Sequence, residues 1–215
     1  MFFMEQRFLR IMEKEIDLEQ SPVIARGPQD DAALERDWEH QNGVWSVTDG
    51  WICGKHIGNS GGILYSKKHY PGNVLLEFEG RTVLPCQNDL NFTWCAAGWD
   101  MAHDDAGESY IAGLAGWWDG KAGIERYPSC LPRAATPLFP FEGGRLYFIQ
   151  AGSIDGHCFL FVDGALVLEM FDPHPITQHG KVGLGTYASQ IQVRNFRVRQ
   201  IVSRAFTQSY TPLFK

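Results

Sequence analysis

Six carboxylates, Asp100, Asp104, Asp105, Glu108, Asp119 and Glu125, fall close together in the sequence. Cleaving a glycosidic bond takes two such groups. One protonates the leaving oxygen; the other acts as base or nucleophile, at a separation set by whether a water must fit between them. Glu125 stands out because Arg126 and Tyr127 beside it are good hydrogen-bonding partners for a sugar. Glu125 or Glu108 is the candidate acid/base, and Arg126 the group that would orient a substrate carboxylate or hydroxyl. His103, whose imidazole ordinarily titrates near neutrality, is a further candidate base. Spacing in sequence does not say which of these groups share a cleft, and each taken singly reads equally well as a solvated loop charge.

Aromatic residues make up 13% of the chain, with seven Trp, and Trp94, Trp99, Trp117 and Trp118 sit among the acidic residues. A flat ring offers a complementary face to the C–H side of a sugar. Neighbours on a strand point to opposite faces, so only one of Trp117 and Trp118 can line a groove. Trp118 is in step with Tyr110, Ala112 and Leu114, which leaves Trp117, with Trp94 and Tyr127, as the expected substrate-binding aromatics. The alternative is that all four Trp fill the core.

Other chemistries lack their residues. No Gly-x-Ser-x-Gly elbow occurs, and Cys95 lies in an apolar run where a thiol is inert. The five cysteines form no Cys-x-x-Cys pair and read as reduced thiols. His174 and His179 are five apart in a Pro-rich turn, a poor frame for zinc, so no metal and no cofactor is expected. Gly180-Lys-Val-Gly-Leu-Gly185 leads into a strand rather than a helix, which excludes a dinucleotide loop.

At 215 residues with a formal net charge of -6, the chain is the size of one large β sandwich and lacks the basic stripe of a nucleic-acid or membrane-surface binder. No stretch reaches the roughly 20 apolar residues of a membrane span. The N-terminus is interrupted by Glu5 and Arg7 and has no signal-peptide pattern, so a cytoplasmic location is expected.

The elements that would position these residues are strands. Asp155-Gly156 and Asp163-Gly164 separate apolar runs as hairpin turns do. Residues 73–83 alternate, with Val74, Leu76 and Phe78 on one side and Glu77, Glu79 and Arg81 on the other, which predicts one buried and one wet face. Residues 89–97 and 109–118, uncharged apart from Asp89, read as strands lining a groove, and 99–108 and 119–143 as long loops. The fold class expected is all-β, an antiparallel two-sheet jelly-roll sandwich over residues 37–204. Residues 1–36 form an extension, helix or edge strand followed by a loop, and 205–215 a tail.

Trp45-Ser-Val-Thr-Asp-Gly-Trp51 with Gly61-Gly-Ile-Leu-Tyr65, Asn73-Val-Leu-Leu-Glu-Phe-Glu79, Phe161-Val-Asp-Gly164, and Gly180-Lys-Val-Gly-Leu-Gly185 with Val193-Arg-Asn-Phe-Arg-Val198 resemble the concanavalin A-like lectin/glucanase superfamily. The resemblance is to bacterial branches that include keto-disaccharide hydrolase-like proteins and a family associated with pectin utilisation. It implies a curved sheet whose concave face holds a saccharide. The Glu-x-Asp-x-x-Glu strand of the superfamily's endoglucanases is missing, which separates this chain from their retaining mechanism. The expected partner is a carbohydrate, handled by a glycoside hydrolase or lyase. The alternatives are a lectin-like module without turnover, and an interaction protein whose aromatics form a homo-oligomer interface.

Overall fold

The computed structural model describes residues 7–57, 61–116 and 119–207. Among these, two large antiparallel sheets face each other as a jelly-roll sandwich. The first runs in the order Arg133–Thr136, Ala122–Tyr127, Ser109–Leu114, Leu90–Ala96, Lys181–Thr186, Gly62–Ser66, Trp38–Gln41. The second runs Ala165–Phe171, His157–Val162, Tyr147–Ile154, Val74–Thr82, Gln190–Gln200, Trp51–Lys55, Val44–Thr48, with Val23–Arg26 also pairing with Gln190–Gln200. No helix of the described residues is long and apolar enough to cross a membrane.

Side-chain alternation explains the packing. In the first sheet Leu90, Phe92, Trp94, Tyr110, Ala112, Leu114, Ile124 and Leu184 point inward. They meet Leu76, Phe78, Ile149, Leu160 and Val193 of the second. The Asp-Gly turns form as their sequence dictates. Asp155 and Asp163 adopt φ of 51° and 53°, followed by Gly156 and Gly164 at 83° and 81°, the left-handed pair that a tight, right-twisted hairpin needs.

Three expectations are revised. Residues 119–143 contain two strands, Ala122–Tyr127 and Arg133–Thr136, because the small residues Ala122, Gly123, Ala134 and Ala135 let the sheet extend there. Residues 31–37 form a short helix capped by the Asp30 side chain, which accepts from the Ala33 N–H at 2.7 Å, where the sequence suggested only loop. Residues 7–17 form neither a helix nor a strand added to the sandwich edge. Phe8–Ile11 and Lys14–Asp17 make a hairpin that pairs with Ser203–Ala205. This small sheet lies on the outer side of the second large sheet, where Leu9, Ile11 and Ile16 cover Leu75, Ile154, Phe159 and Phe161. The face of residues 73–83 expected to be wet is therefore covered at Leu75 and Glu77, and open only beyond them.

Candidate functional site

The outer face of the first sheet carries a cavity of about 510 Å³, a size usual for small-molecule sites. It follows from the strand period. On Leu90–Ala96 the inward residues are Leu90, Phe92 and Trp94, so Asn91 and Thr93 turn outward. On Ala122–Tyr127, Ala122 and Ile124 turn inward, so Glu125 and Tyr127 turn outward. Ile111 and Gly185 complete the floor. Gly185 matters because it leaves room: an added Cβ would make ordinary contacts with the Asn91 Cβ at 3.4 Å and the Gly62 carbonyl at 3.9 Å, and a longer side chain would grow into the cavity.

One wall comes from the small hairpin of Trp99–Asp100 and Asp105–Ala106, which brings Trp99, Asp104 and Asp105 over the sheet. Tyr127 ties this wall down by donating its hydroxyl to Asp105, whose other oxygen accepts from the Ala106 N–H at 2.7 Å. Burial, reinforced by that carboxylate, pushes the Tyr127 phenol well above its usual range. Cys130 lies beside Glu125, and burial raises its thiol too. Tyr187 closes the opposite end.

The polar groups here are unevenly satisfied. Glu125, 1% exposed, is ion-paired with Arg133 at 3.4 Å. Thr93 donates its hydroxyl to the Tyr110 carbonyl at 2.8 Å, and Thr186 to Gly62 at 3.3 Å. Asn91 is 5% exposed, and its side-chain oxygen has no partner. That oxygen occupies the space over Gly113, where an added Cβ would lie 2.0 Å from it. The Tyr65 hydroxyl, on the same sheet, is also buried without a partner. Two residues before Asn91, Asp89 is 1% exposed, and burial lifts its carboxyl to about 7. The Asn91 side chain and the Tyr187 backbone N–H oppose that rise, although neither reaches normal hydrogen-bond geometry with it.

Of the candidate acid/base and substrate-binding residues, Glu125 and Tyr127 meet in this cavity, joined by Trp99, Asp104 and Asp105 from the wider acidic and aromatic set. Trp94, Arg126, Glu108 and His103 do not line it. Trp94 is 0% exposed, faces the second sheet and donates to Ser153 at 3.0 Å, because it is in step with Leu90 and Phe92. Arg126 alternates away from Glu125 and is held by Glu108 at 2.6 Å, buried Asp172 at 3.1 Å and the His174 carbonyl at 2.5 Å. Glu108 also accepts from Gln178 at 2.6 Å, so this network fastens the 172–179 segment to the sheet and leaves Arg126 no open fork for a substrate. His103 is exposed on the hairpin and bonds Asp100 at 2.7 Å, which raises the imidazole and lowers the carboxyl. Trp117 lies outside the described residues. Asn91, Asp104, Asp105 and Trp99 take the places expected of the others. The Leu-Asn-Phe-Thr-Trp alternation was the signal that Asn91, not Trp94, faces outward. Among the described residues, no three His, Cys, Asp or Glu side chains converge as a metal would require.

No protein-family model matches the chain, and no curated protein aligns with it in sequence. Solved structures do match. A Bacillus subtilis protein of unknown function with a galectin-like fold superposes with a TM-score of 0.67 at 15% identity, over 85% of this chain and 99% of that one. The carbohydrate-binding module CBM66 from Bacillus subtilis gives 0.60 at 14%, over 76% and 96%. A Bacillus licheniformis beta-glucanase gives 0.56 at 13%, over 83% and 95%. At such identities the likeness concerns the backbone alone. The chain shares its two-sheet jelly-roll fold with these galectin-like, carbohydrate-binding-module and glucanase structures.

Proposed function

We propose that the protein binds a short saccharide in the cavity on the outer face of its first sheet. The observation that carries this reading is the Asn91 oxygen, buried and unpartnered on a floor ringed by Trp99, Tyr127 and Tyr187. A buried acceptor left open costs about 1–3 kcal/mol, a penalty that a ligand hydroxyl would remove. The aromatic rings supply faces for the C–H side of a sugar. The solved relatives by fold include a carbohydrate-binding module and a glucanase, which is consistent with this use of the sheet.

A second reading, hydrolysis, is favoured by one observation: three carboxylates, Glu125, Asp104 and Asp105, line the same cavity. Against it, Glu125 is paired with Arg133 and Asp105 with Tyr127. Binding without turnover is therefore the expected behaviour.

Titration calorimetry against neutral, amino and acidic mono- and oligosaccharides tests this directly. Gly185→Leu would fill the cavity and should abolish binding with melting temperature preserved. Binding that survives this change places the ligand elsewhere. Release of reducing sugar by the wild type, lost in Glu125→Gln while affinity remains, would replace the binding reading with the hydrolytic one.

A further inference from the structure

The charge of the cavity is one-sided. Three of its lining hydroxyls have their protons committed: Thr93 to Tyr110, Thr186 to Gly62 and Tyr127 to Asp105. The Trp99 indole and the Tyr187 hydroxyl are neutral donors in the lining, and the acceptors are the Asn91 oxygen on the floor and the negatively charged carboxylates of Asp104 and Asp105 on the wall. Among the described residues, the exposed Asp104 side chain has neither hydrogen bond nor ion pair, and no Lys or Arg lines the cavity. The nearby cations are each engaged by an acid: Arg133 by Glu125 of the lining, Lys181 by Glu39, and Arg126 by Glu108 and Asp172.

A ligand that complements such a lining brings donors and positive charge. Resting on the saccharide reading above, we infer that the cavity selects a sugar with a free amino group, a hexosamine, over its neutral and carboxylate counterparts. The ammonium offers three donors and a positive charge, which match the two carboxylates of the wall. It would sit against Asp104 and Asp105, with a ring hydroxyl donating to Asn91. A uronate in the same place would set a carboxylate against two others without a cation to offset them. Arg126, the group that sequence alone offered for an acidic sugar, is neutralised outside the cavity.

The test uses four matched disaccharides: glucosamine-based, N-acetylglucosamine-based, glucose-based and glucuronate-based. Their affinities are measured calorimetrically at low salt and at high salt. Charge pairs at partly exposed sites are individually weak, so the amino form should bind about fivefold tighter than the N-acetylated and glucose forms. The preference should shrink at high salt. Asp104→Asn should lower it further. Asp119→Asn removes the same charge outside the cavity, from a backbone with the same left-handed φ, and should leave the preference intact. Equal or tighter binding of a neutral or acidic disaccharide overturns the amino-sugar assignment and leaves saccharide binding standing. No binding of any of the four overturns both.

Discussion

On the outer side of the second sheet, Leu75, Phe159 and Phe161 are sealed beneath Leu9, Ile11 and Ile16, and the polar groups at that seam are paired. Buried Glu15 accepts from Arg10 at 2.8 Å and from Arg204 at 2.9 Å. Glu77 takes Arg199 at 2.5 Å and Gln150 at 3.0 Å. On the outer side of the first sheet, Asn91, Tyr65 and neighbouring Asp89 are as deeply buried and have polar atoms without partners. Buried polar groups are normally satisfied, so leaving several open on one face is a cost without a structural return. The contrast teaches that the sealed face holds the fold together, and it is the open face that the proposed ligand would complete.

The largest effect that could break this comparison is on the sealed side. Phe159 is wholly buried, with its ring edge-on to Phe161 at 6.0 Å. Phe159→Ala should lower unfolding free energy by about 3–5 kcal/mol in urea titration and leave sugar affinity unchanged. A loss under about 1 kcal/mol would mean that the N-terminal hairpin does not seal this face.

The next effect belongs to the open side and depends on pH. The Asp89 carboxyl, near 3.9 in an unfolded chain, stands at about 7 in the folded one. Between those values the folded state holds a proton that the unfolded state has lost. The contribution to stability is full below pH 4, falls as pH rises through 7, and is gone above it, a change on the order of a few kcal/mol. Asp89→Asn keeps the shape, and Asn tolerates the φ of 74° at this position. The variant should match the wild type near pH 4 and exceed it at pH 8. Parallel stability curves would show that the carboxylate is solvated after all.

Smaller again is Gly113→Ala. The new Cβ would displace the Asn91 oxygen but little backbone, with Leu90 O at 3.4 Å. Overpacking of this kind should cost about 1–3 kcal/mol, with a greater proportional loss of sugar affinity. Unchanged affinity would remove Asn91 from the site.

The same two faces explain what the sequence could reveal. Strands 74–82 and 147–171 were legible because alternation and Asp-Gly turns are local signals. Glu125 and Tyr127 were legible as a pair, and the same period-2 rule puts Arg126 opposite them, with Ile124. Trp94 was misplaced because ring size suggested a sugar platform, whereas its step with Leu90 and Phe92 assigned it to the core. The contribution of Trp99, Asp104 and Asp105 was not legible as a wall. It depends on a short hairpin folding back over the sheet, fixed by the Tyr127–Asp105 bond across 22 residues. The covering of Leu75 likewise depends on the two ends of the chain, Lys14–Asp17 and Ser203–Ala205, meeting in space.

The smallest expected change in stability makes the sharpest test of the open face. Asp104 is exposed and without a partner, and its φ is 53°, a left-handed conformation that Asn accepts as readily as Asp. Asp104→Asn should therefore shift unfolding free energy by no more than about 0.5 kcal/mol. With stability and backbone fixed, any change in sugar preference comes from the lost charge on the cavity wall. A substantial stability change would instead reveal that Asp104 supports the hairpin, and the wall would then belong to the architecture as much as the sealed face does.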